Sequence, residues 1–236
     1  MKLTQTQKAL RSHANSQQAT SLRRFFKTGP GEYGENDLFI GVKVPNIRLV
    51  AKTYRDNISN DELDALIHSP IHEDRMLALI VLIWRFETTQ EHDRKQIYKY
   101  YLDNLNFINN WDLVDISAPR IVGGYLFSKS RKPLYRLAHA KNIWERRIAI
   151  VATFYFIKNN DLKDACAIAK ILLTDSHDLI HKAVGWALRE VGKKDKQMLE
   201  QFLIKNYDCL SRTTLRYSIE KFQLQERKKF LALNKQ

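Results

Sequence analysis

The chain has 236 residues and a mass of 27.7 kDa, so it can bury a core large enough to fold without disulfides or a structural metal. Its 39 lysines and arginines against 26 aspartates and glutamates give a formal net charge of +13, which favours a polyanion such as nucleic acid as partner, although it also fits an ordinary basic protein. The longest apolar run, residues 76–84, is well short of a membrane span.

The N-terminal segment, residues 1–18, is polar and has no apolar core of the signal-peptide type. The two cysteines, Cys166 and Cys209, stand singly in apolar helical patterns without metal-ligand spacing, so we expect small hydrophobic residues in a reducing compartment. The histidines form no H-E-x-x-H pair and no Ser-His-Asp signature. The sequence therefore predicts a cytoplasmic protein without a metal or another cofactor.

The segment GPGEYG, residues 29–34, matches the G-x-G-x-x-G pattern of dinucleotide-binding loops. The match is weak, because no strand precedes it and Pro30 lacks a backbone donor. The nearby carboxylates of Glu32, Glu35 and Asp37 would also repel a pyrophosphate. We interpret the segment as a flexible loop.

Helical periodicity runs through almost every segment, whereas alternating strand patterns and Asn-Gly hairpin signals are missing. Pro45 predicts the first turn of a helix, VPNIRLVAKTYRD. Pro70 separates two further helical patterns, DELDALIHS and IHEDRMLALIVLIWRF. The sequence therefore predicts an all-α fold.

An internal repeat begins at the helical pattern IHEDRMLALIVLIWRF and continues through the rest of the chain. Five helices align on anchor residues spaced 36, 35, 34 and 34 positions apart, namely Ala78, Val114, Ala149, Ala183 and Tyr217. Short helical patterns such as QIYKYYLDNL lie between them. A helix pair at this interval is typical of α-solenoids, and the missing TPR pattern of small and large residues favours HEAT-like repeats. We predict one HEAT-like domain over residues 1–236, an α-α superhelix with a concave basic groove.

The segment NNWDLVDISAP, residues 109–119, departs from this repeat. Its helix carries Asp115 one residue after the anchor, where the other four helices carry Leu79, Ile150, Val184 and Ser218. Trp111 lies four residues before Asp115 on the same helix face, so the indole and the carboxylate form one patch. Asp112 is interpreted as an ordinary residue at a helix start, where negative charge suits the helix dipole.

Asp115 needs a partner, because burying an unpaired carboxylate costs several kcal/mol. Arg147, two residues before the next anchor, lies about 60° around its helix from the Asp115 position, and parallel stacking would bring it close. The carboxylate is either part of a structural ion pair or backbone cap, or part of a functional site. The residues alone leave both alternatives open.

Four tryptophans stand at helical spacing, and core packing is the default interpretation for each. The alternative is a π face open to a cationic sugar or an unstacked base. Trp84, inside an apolar run, is the clearest core candidate and Trp111 the least clear; Trp144 and Trp186 lie between these extremes.

Basic side chains recur along the chain in places suited to contacts with a phosphate backbone. Each one alone fits a solvated surface charge, but together they suggest backbone contacts rather than base readout. The DNA-binding candidates are Arg24, Lys43, Arg48, Arg146, Lys182, Arg189, Arg212 and Arg216.

The sequence resembles the AlkD-like family of bacterial DNA alkylation-repair glycosylases, which are built from HEAT-like repeats. The resemblance covers nearly the whole chain and runs through FFKTGPGEYGENDLFIGVKVPNIR, NNWDLVDISAPRIVGGYL, NIWERRIAIVATFYFI, HKAVGWALREVGKKD and SRTTLRYSIEKF. It implies that Trp111 and Asp115, the Trp and second Asp of W-D-x-V-D, line the lesion site. It likewise implies site roles for Arg147, three residues after the Trp of N-I-W, and for Trp186 of G-W-x-L-R-E, with Arg146 competing for the role of its neighbour.

The resemblance implies a monomeric, monofunctional glycosylase that removes N3-alkyladenine and N7-alkylguanine from double-stranded DNA in base excision repair. A separate hypothesis is that the long acidic loop, residues 28–37, distinguishes a subgroup with an altered substrate range. Two alternatives use the same fold: a catalytically silent scaffold that binds nucleic acid, and a protein-interaction solenoid, which the charge disfavours.

Overall fold

A computed structural model describes residues 3–232 of the chain. Over this range the chain forms helices joined by turns and contains no β-strand, although one isolated parallel bridge joins Leu38 to Ile71. The prediction of an all-α fold is confirmed. No helix in the described part of the chain combines the length and the apolar composition that crossing a membrane requires.

The chain divides into two compact units, the first ending at Ser117 and the second beginning at Ala118. The helices that begin in the first unit are α1 (Gln5–Arg11), α2 (Ser16–Phe25), α3 (Val44–Tyr54), α4 (Asn60–Ile67), α5 (His72–Thr88), α6 (Glu91–Asp103) and α7 (Trp111–Ala118). Helix α1 starts at a capping box between Thr4 and Gln7, and Pro45 lies in the first turn of α3 as predicted.

The second unit follows α7 through a π-helical turn, Pro119–Gly123. Its helices are α8 (Gly124–Leu126), α9 (Lys132–Ala138), α10 (Ile143–Lys158), α11 (Lys163–Leu172), α12 (Asp178–Lys194), α13 (Lys196–Lys205), α14 (Arg212–Ser218) and α15 (Leu224–Ala232). Gly185 lets α12 approach α14 closely, because a Cβ atom at this position would lie 2.5 Å from the Tyr217 Cβ.

The predicted repeat is visible in the order of the helices. The five anchors lie on α5, α7, α10, α12 and α14, and shorter helices separate them. Within the second unit, α10 packs on α9, α11 and α12, while α12 packs on α13 and α14. Such packing of each helix on its neighbours is expected of stacked helical repeats. The single domain and its concave basic groove stay predictions.

Two predictions about apolar residues were wrong. Trp84 is only partly buried, and the Arg55 guanidinium lies over its ring at 4.3 Å from the centroid. Cys209 is exposed, so it does not act as a buried hydrophobic residue. Cys166 does, since it packs against a cluster containing Ile157, and burial raises the pKa of its thiol to about 11.

Candidate functional site

The start of α7 carries the two residues of the predicted patch. The Asn110 side-chain oxygen accepts a hydrogen bond from the Trp111 backbone N–H at 2.8 Å, so it satisfies one of the free donors at the helix end. Asp112 accepts from the backbone N–H of Leu113 at 2.8 Å. One turn after Trp111, Asp115 follows on the same helix face.

Trp111 is partly buried and packs on two phenylalanines at the end of α2. Its ring stacks on Phe26 with the centroids 5.1 Å apart and the planes at 20°. Phe25 meets it edge-on at 5.7 Å and is itself 63% exposed. The sequence argument missed Phe25, although the adjacent phenylalanines in RRFFKTG, among basic and polar residues, were a signal for an aromatic contact.

Asp115 occupies the predicted break in the aliphatic column. Leu79, Ile150 and Val184, at the equivalent positions of other repeats, are fully buried, whereas Asp115 is only partly buried. Burial is the main cause that raises the pKa of Tyr101, and the negative charge of Asp115 adds to it. The carboxylate therefore lies close enough to the Tyr101 side chain to affect its pKa, and the residue as a whole is only partly buried.

The first turn of α5 contains four charged residues in succession, His72, Glu73, Asp74 and Arg75, and each is at most 3% exposed. Such burial requires a partner for every charge. The Asp74 carboxylate accepts from both terminal nitrogens of Arg11, at 3.0 and 2.8 Å. No sequence pattern had marked this turn as a site.

Glu73 of the same turn binds the backbone of the segment that precedes α3. One of its carboxylate oxygens accepts from the backbone N–H groups of Ile40, Gly41 and Val42, at 3.2, 2.8 and 3.2 Å. Gly41 has a φ of 83°, which favours glycine, and this conformation turns its N–H toward the carboxylate.

His72 lies between two carboxylates. Its Nδ1 is 2.8 Å from an oxygen of Asp37, and its Nε2 is 2.8 Å from an oxygen of Asp112. Burial lowers the pKa of His72, but the two carboxylates outweigh burial and raise it to about 9. Asp112 lies in the first turn of α7 as predicted, but it is not an ordinary residue there, because its second oxygen binds the buried imidazolium of His72.

Asp37 links His72 to Arg75 and to the residues before α7. One oxygen of Asp37 accepts from Arg75, and the other accepts from the Asn110 amide at 3.1 Å. Arg75 also donates to the Asn109 side chain at 3.1 Å. Burial raises the pKa of the Asp37 carboxyl, yet His72 and Arg75 hold it below its usual value.

The acidic loop, residues 28–37, contains hydrogen bonds from its own backbone to its own carboxylates, and its flexibility stays a prediction. Glu32 accepts from the backbone N–H of Gly29 at 2.9 Å, and Glu35 accepts from that of Gly31 at 3.0 Å. The loop ends at Asp37, which binds His72 of α5. The carboxylates of Glu32, Glu35 and Asp37 therefore all have partners within the protein.

In the second unit, α10 carries Arg146 and Arg147, the two adjacent candidates for a single site role. Arg146 donates to the backbone oxygens of Ala140 and Lys141, at 3.0 and 2.7 Å, and to both oxygens of Asp175, at 2.5 and 3.3 Å. Four of the five N–H donors of a guanidinium are thereby used. Arg147, which is 5% exposed, donates to the Leu179 backbone oxygen at 2.6 Å. The structure thus gives Arg146 a structural task that competes with phosphate binding.

Trp186 lies on α12 and is partly buried. Its ring centroid is 4.4 Å from that of Phe154, with the planes at 44°. On the same helix, Lys182 forms an ion pair with Asp178 at 2.7 Å, and Arg189 pairs with Glu220. These two candidate DNA-binding cations therefore have protein partners.

The other predicted DNA-binding residues differ in whether their side chains bind other groups of the protein. Arg212 is exposed and donates to the backbone oxygen of Leu231 at 2.9 Å. Within residues 3–232, four exposed candidates form no ion pair and no side-chain hydrogen bond: Arg24, Lys43, Arg48 and Arg216. Over the same range, no group of three or more histidine, cysteine or acidic residues is arranged to hold a metal ion.

The family model described as DNA alkylation repair enzyme matches residues 6–222. The chain belongs to this family. The resemblance inferred from its motifs is confirmed, and membership in the DNA alkylation repair family gives the protein a role in DNA alkylation repair, with DNA as its partner.

Solved structures with the same fold include family relatives at low sequence identity. A predicted DNA alkylation repair enzyme from Enterococcus faecalis aligns with a TM-score of 0.70 and 17% identity over 90% of this chain and 98% of its own. AlkD2 from Streptococcus mutans aligns with a TM-score of 0.53 and 16% identity over 86% of this chain and 97% of its own. No curated protein matches the chain. At such identities the similarity shows the fold, and the roles of individual site residues stay predictions.

Proposed function

We propose that the protein is a DNA glycosylase that hydrolyses the N-glycosidic bond of N3-alkyladenine and N7-alkylguanine in double-stranded DNA. The observation that carries the proposal is the pair formed by Asp115 and Trp111. Asp115 is only partly buried at a repeat position where the aliphatic residues of other repeats are fully buried, and it lies one helical turn from the partly buried Trp111. Family membership supports the same conclusion.

A single carboxylate suits this substrate class. An N3- or N7-alkylated purine already carries a positive charge and leaves the sugar as a neutral molecule, so no general acid has to protonate it. Ordinary glycosidases use a second carboxyl group for that step. Asp115 therefore needs no acidic partner for the proposed reaction.

Asp115 acts on the sugar and on the attacking water. As the bond to the base stretches, positive charge develops on the deoxyribose, and a fixed carboxylate stabilises that oxocarbenium ion. The same carboxylate orients the water and accepts its proton as the new C–O bond forms. A water nucleophile leaves the DNA strand intact, so the enzyme is monofunctional.

The other three candidates contact the sugar and the phosphate. Trp111 and Trp186 each present an aromatic face, which attracts a cationic sugar through its π electrons. Arg147 contacts the backbone phosphate through charge-assisted hydrogen bonds. We favour Arg147 over Arg146 because the family motif assigns the role to the Arg three residues after the Trp of N-I-W, although both guanidinium groups have partners within the protein.

Asp115→Asn tests the proposal. The parent protein is incubated with duplex DNA containing N7-methylguanine, and released base is measured under single-turnover conditions. Asp115→Asn should slow release by roughly 10²–10³-fold, because it removes a charge aimed at the transition state while keeping the shape of the side chain. Asp103→Asn, at an exposed carboxylate on α6, is the matched control and should keep the parent rate.

The alternative is a catalytically silent scaffold. If the parent protein binds the duplex but releases no base above background, the glycosylase proposal fails and the scaffold interpretation stands. If Asp115→Asn releases base as fast as the parent protein does, Asp115 is not the catalytic carboxylate.

A further inference from the structure

The residues on both sides of Trp111 are tied to one buried group of charges. Asn109 accepts from Arg75 at 3.1 Å, Asn110 donates to Asp37 at 3.1 Å, and Asp112 accepts from His72 at 2.8 Å. Three of the four residues 109–112 are therefore fixed through polar side chains. The fourth is the tryptophan, whose ring remains partly open to solvent.

His72 is the centre of this group because both of its ring nitrogens face carboxylates. A neutral imidazole donates from only one nitrogen and would leave the other lone pair facing an anion. The two contacts of 2.8 Å, to Asp37 and Asp112, therefore require the imidazolium. The charged groups around it are Asp37 from the acidic loop, Asp112 from α7 and Arg75 from its own helix, which binds the other oxygen of Asp37.

A second connection runs through aromatic rings. His72 stacks on Phe39 with the centroids 4.5 Å apart, and Phe39 stacks on Phe26 at 5.0 Å. Phe26 in turn stacks on Trp111 at 5.1 Å. His72 thus reaches Trp111 by two routes, through the backbone beside Asp112 and through the rings that support the indole.

The two acidic residues that follow His72, Glu73 and Asp74, have partners outside the segment 109–112. Glu73 binds the backbone N–H groups of residues 40–42, and Asp74 binds Arg11 on α1. These partners hold other parts of the first unit. Asp74 and Asp112 are therefore two paired carboxylates of similar chemistry, one linked to α1 and the other to the start of α7.

We propose that His72, held between Asp37 and Asp112, is a positioning residue that sets the orientation of the Trp111 indole for the sugar of the damaged nucleotide. This role rests on the proposed glycosylase function. It also assigns a task to the acidic loop, which supplies Asp37 as one of the two carboxylates. His72 itself does not touch the reacting atoms.

Single-turnover excision separates positioning from general stability. His72→Gln and Asp112→Asn should each slow release of N7-methylguanine about tenfold or more, because displacements of about 1 Å in a site lower rates strongly, while the Kd for the duplex changes less than about twofold. Asp74→Asn breaks the pair with Arg11 and should keep the parent rate at a temperature where all variants are folded. Melting temperatures measured in parallel establish that temperature.

The fluorescence of Trp111 gives a readout that loss of stability alone does not change. It is obtained by subtracting the emission spectrum of Trp111→Phe from that of the parent. For each variant, the spectrum of the same variant carrying Trp111→Phe is subtracted in the same way. The signal should change in His72→Gln and Asp112→Asn but not in Asp74→Asn. In the parent it should also change as the pH rises through about 9, where His72 loses its proton, and this change should be missing in His72→Gln.

The outcomes distinguish this role from the proposed function. If the parent releases no base, the proposed function fails and the positioning role fails with it. If the parent is active and the two variants match it in rate and in Trp111 fluorescence, only the positioning role is overturned. An equal loss of rate in Asp74→Asn also overturns it. Should His72→Gln fail to fold, Asp112→Asn and the pH titration of the parent decide the question.

Discussion

Helices α7 and α10 begin with the same local contact but fix their first turns differently. In each, an asparagine side chain accepts at 2.8 Å from a tryptophan backbone N–H, Asn110 from Trp111 and Asn142 from Trp144. Trp144 is only 7% exposed, whereas Trp111 keeps part of its ring open. The similar caps therefore support two tryptophans with different surroundings.

The difference shows how a tryptophan can be held without burying it. Apolar packing fixes Trp144, because a buried ring has few orientations that fill its space. A ring that has to meet a ligand cannot be fixed on all sides by packing. At α7 the ring stacks on Phe26, and its neighbours add polar contacts, through Asp112 to His72 and through Asn110 to Asp37.

Truncation of the two tryptophans is the strongest test of this comparison. Trp144→Ala should lower the free energy of unfolding by about 3–5 kcal/mol, because it leaves a cavity in the core. Trp111→Ala should lower it by less, since part of the ring already faces solvent, but should slow base release. Denaturant unfolding and single-turnover excision measure the two effects. Equal losses of stability would show that Trp111 is an ordinary core residue.

A pH titration of stability tests the charged side of the comparison. The pKa of His72 rises from 6.5 to about 9 on folding, so its contribution is fully present below pH 6.5 and is lost as the pH rises through about 9. The size of the shift corresponds to about 3 kcal/mol. Unfolding of the parent and of His72→Gln should be compared over this range. If both lose stability in parallel, His72 is not the group that titrates.

Arg146→Gln tests how the start of α10 is held. Asp175, whose side chain is 5% exposed, would lose its guanidinium partner, and the free energy of unfolding should fall by about 2 kcal/mol. The salt dependence of DNA affinity should not change, because Arg146 is occupied within the protein. A flatter salt dependence in Arg146→Gln would restore its predicted role as a phosphate contact.

Periodicity made the helices of this chain predictable. Helical periodicity is visible because each helix buries an apolar face, and anchors such as Ala78 and Ala149 recur with each helix pair. The repeat also identified Asp115 from the sequence alone, because most other helices carry an aliphatic residue at the equivalent position. The burial of Trp84 was mispredicted because an apolar run gives no information about a nearby cation, and Arg55, directly after α3, lies over its ring.

The polar group around His72 could not be predicted in this way. Its members come from the loop at Asp37, the first turn of α5 and the segment 109–112, and pairing between distant polar residues leaves no periodic signal. Charged residues are usually exposed, so the composition of HEDR gave no sign that residues 72–75 are buried. The assignment of Trp186 came from the family motif and had no support from the repeat register.

The smallest expected effect concerns exposed cations, and it separates local phosphate contacts from total charge. Arg48 on α3 is exposed and forms no ion pair within residues 3–232, so Arg48→Gln should weaken binding to undamaged duplex and reduce the slope of log affinity against log salt by about 0.9. Lys95→Gln on α6 removes the same charge from another exposed position of the first unit. Its slope should equal that of the parent, because counterions are released only where a cation lies against a phosphate. Equal slopes for both variants would mean that net charge attracts DNA without a phosphate contact at Arg48. The phosphate contacts would then involve other cations of the protein.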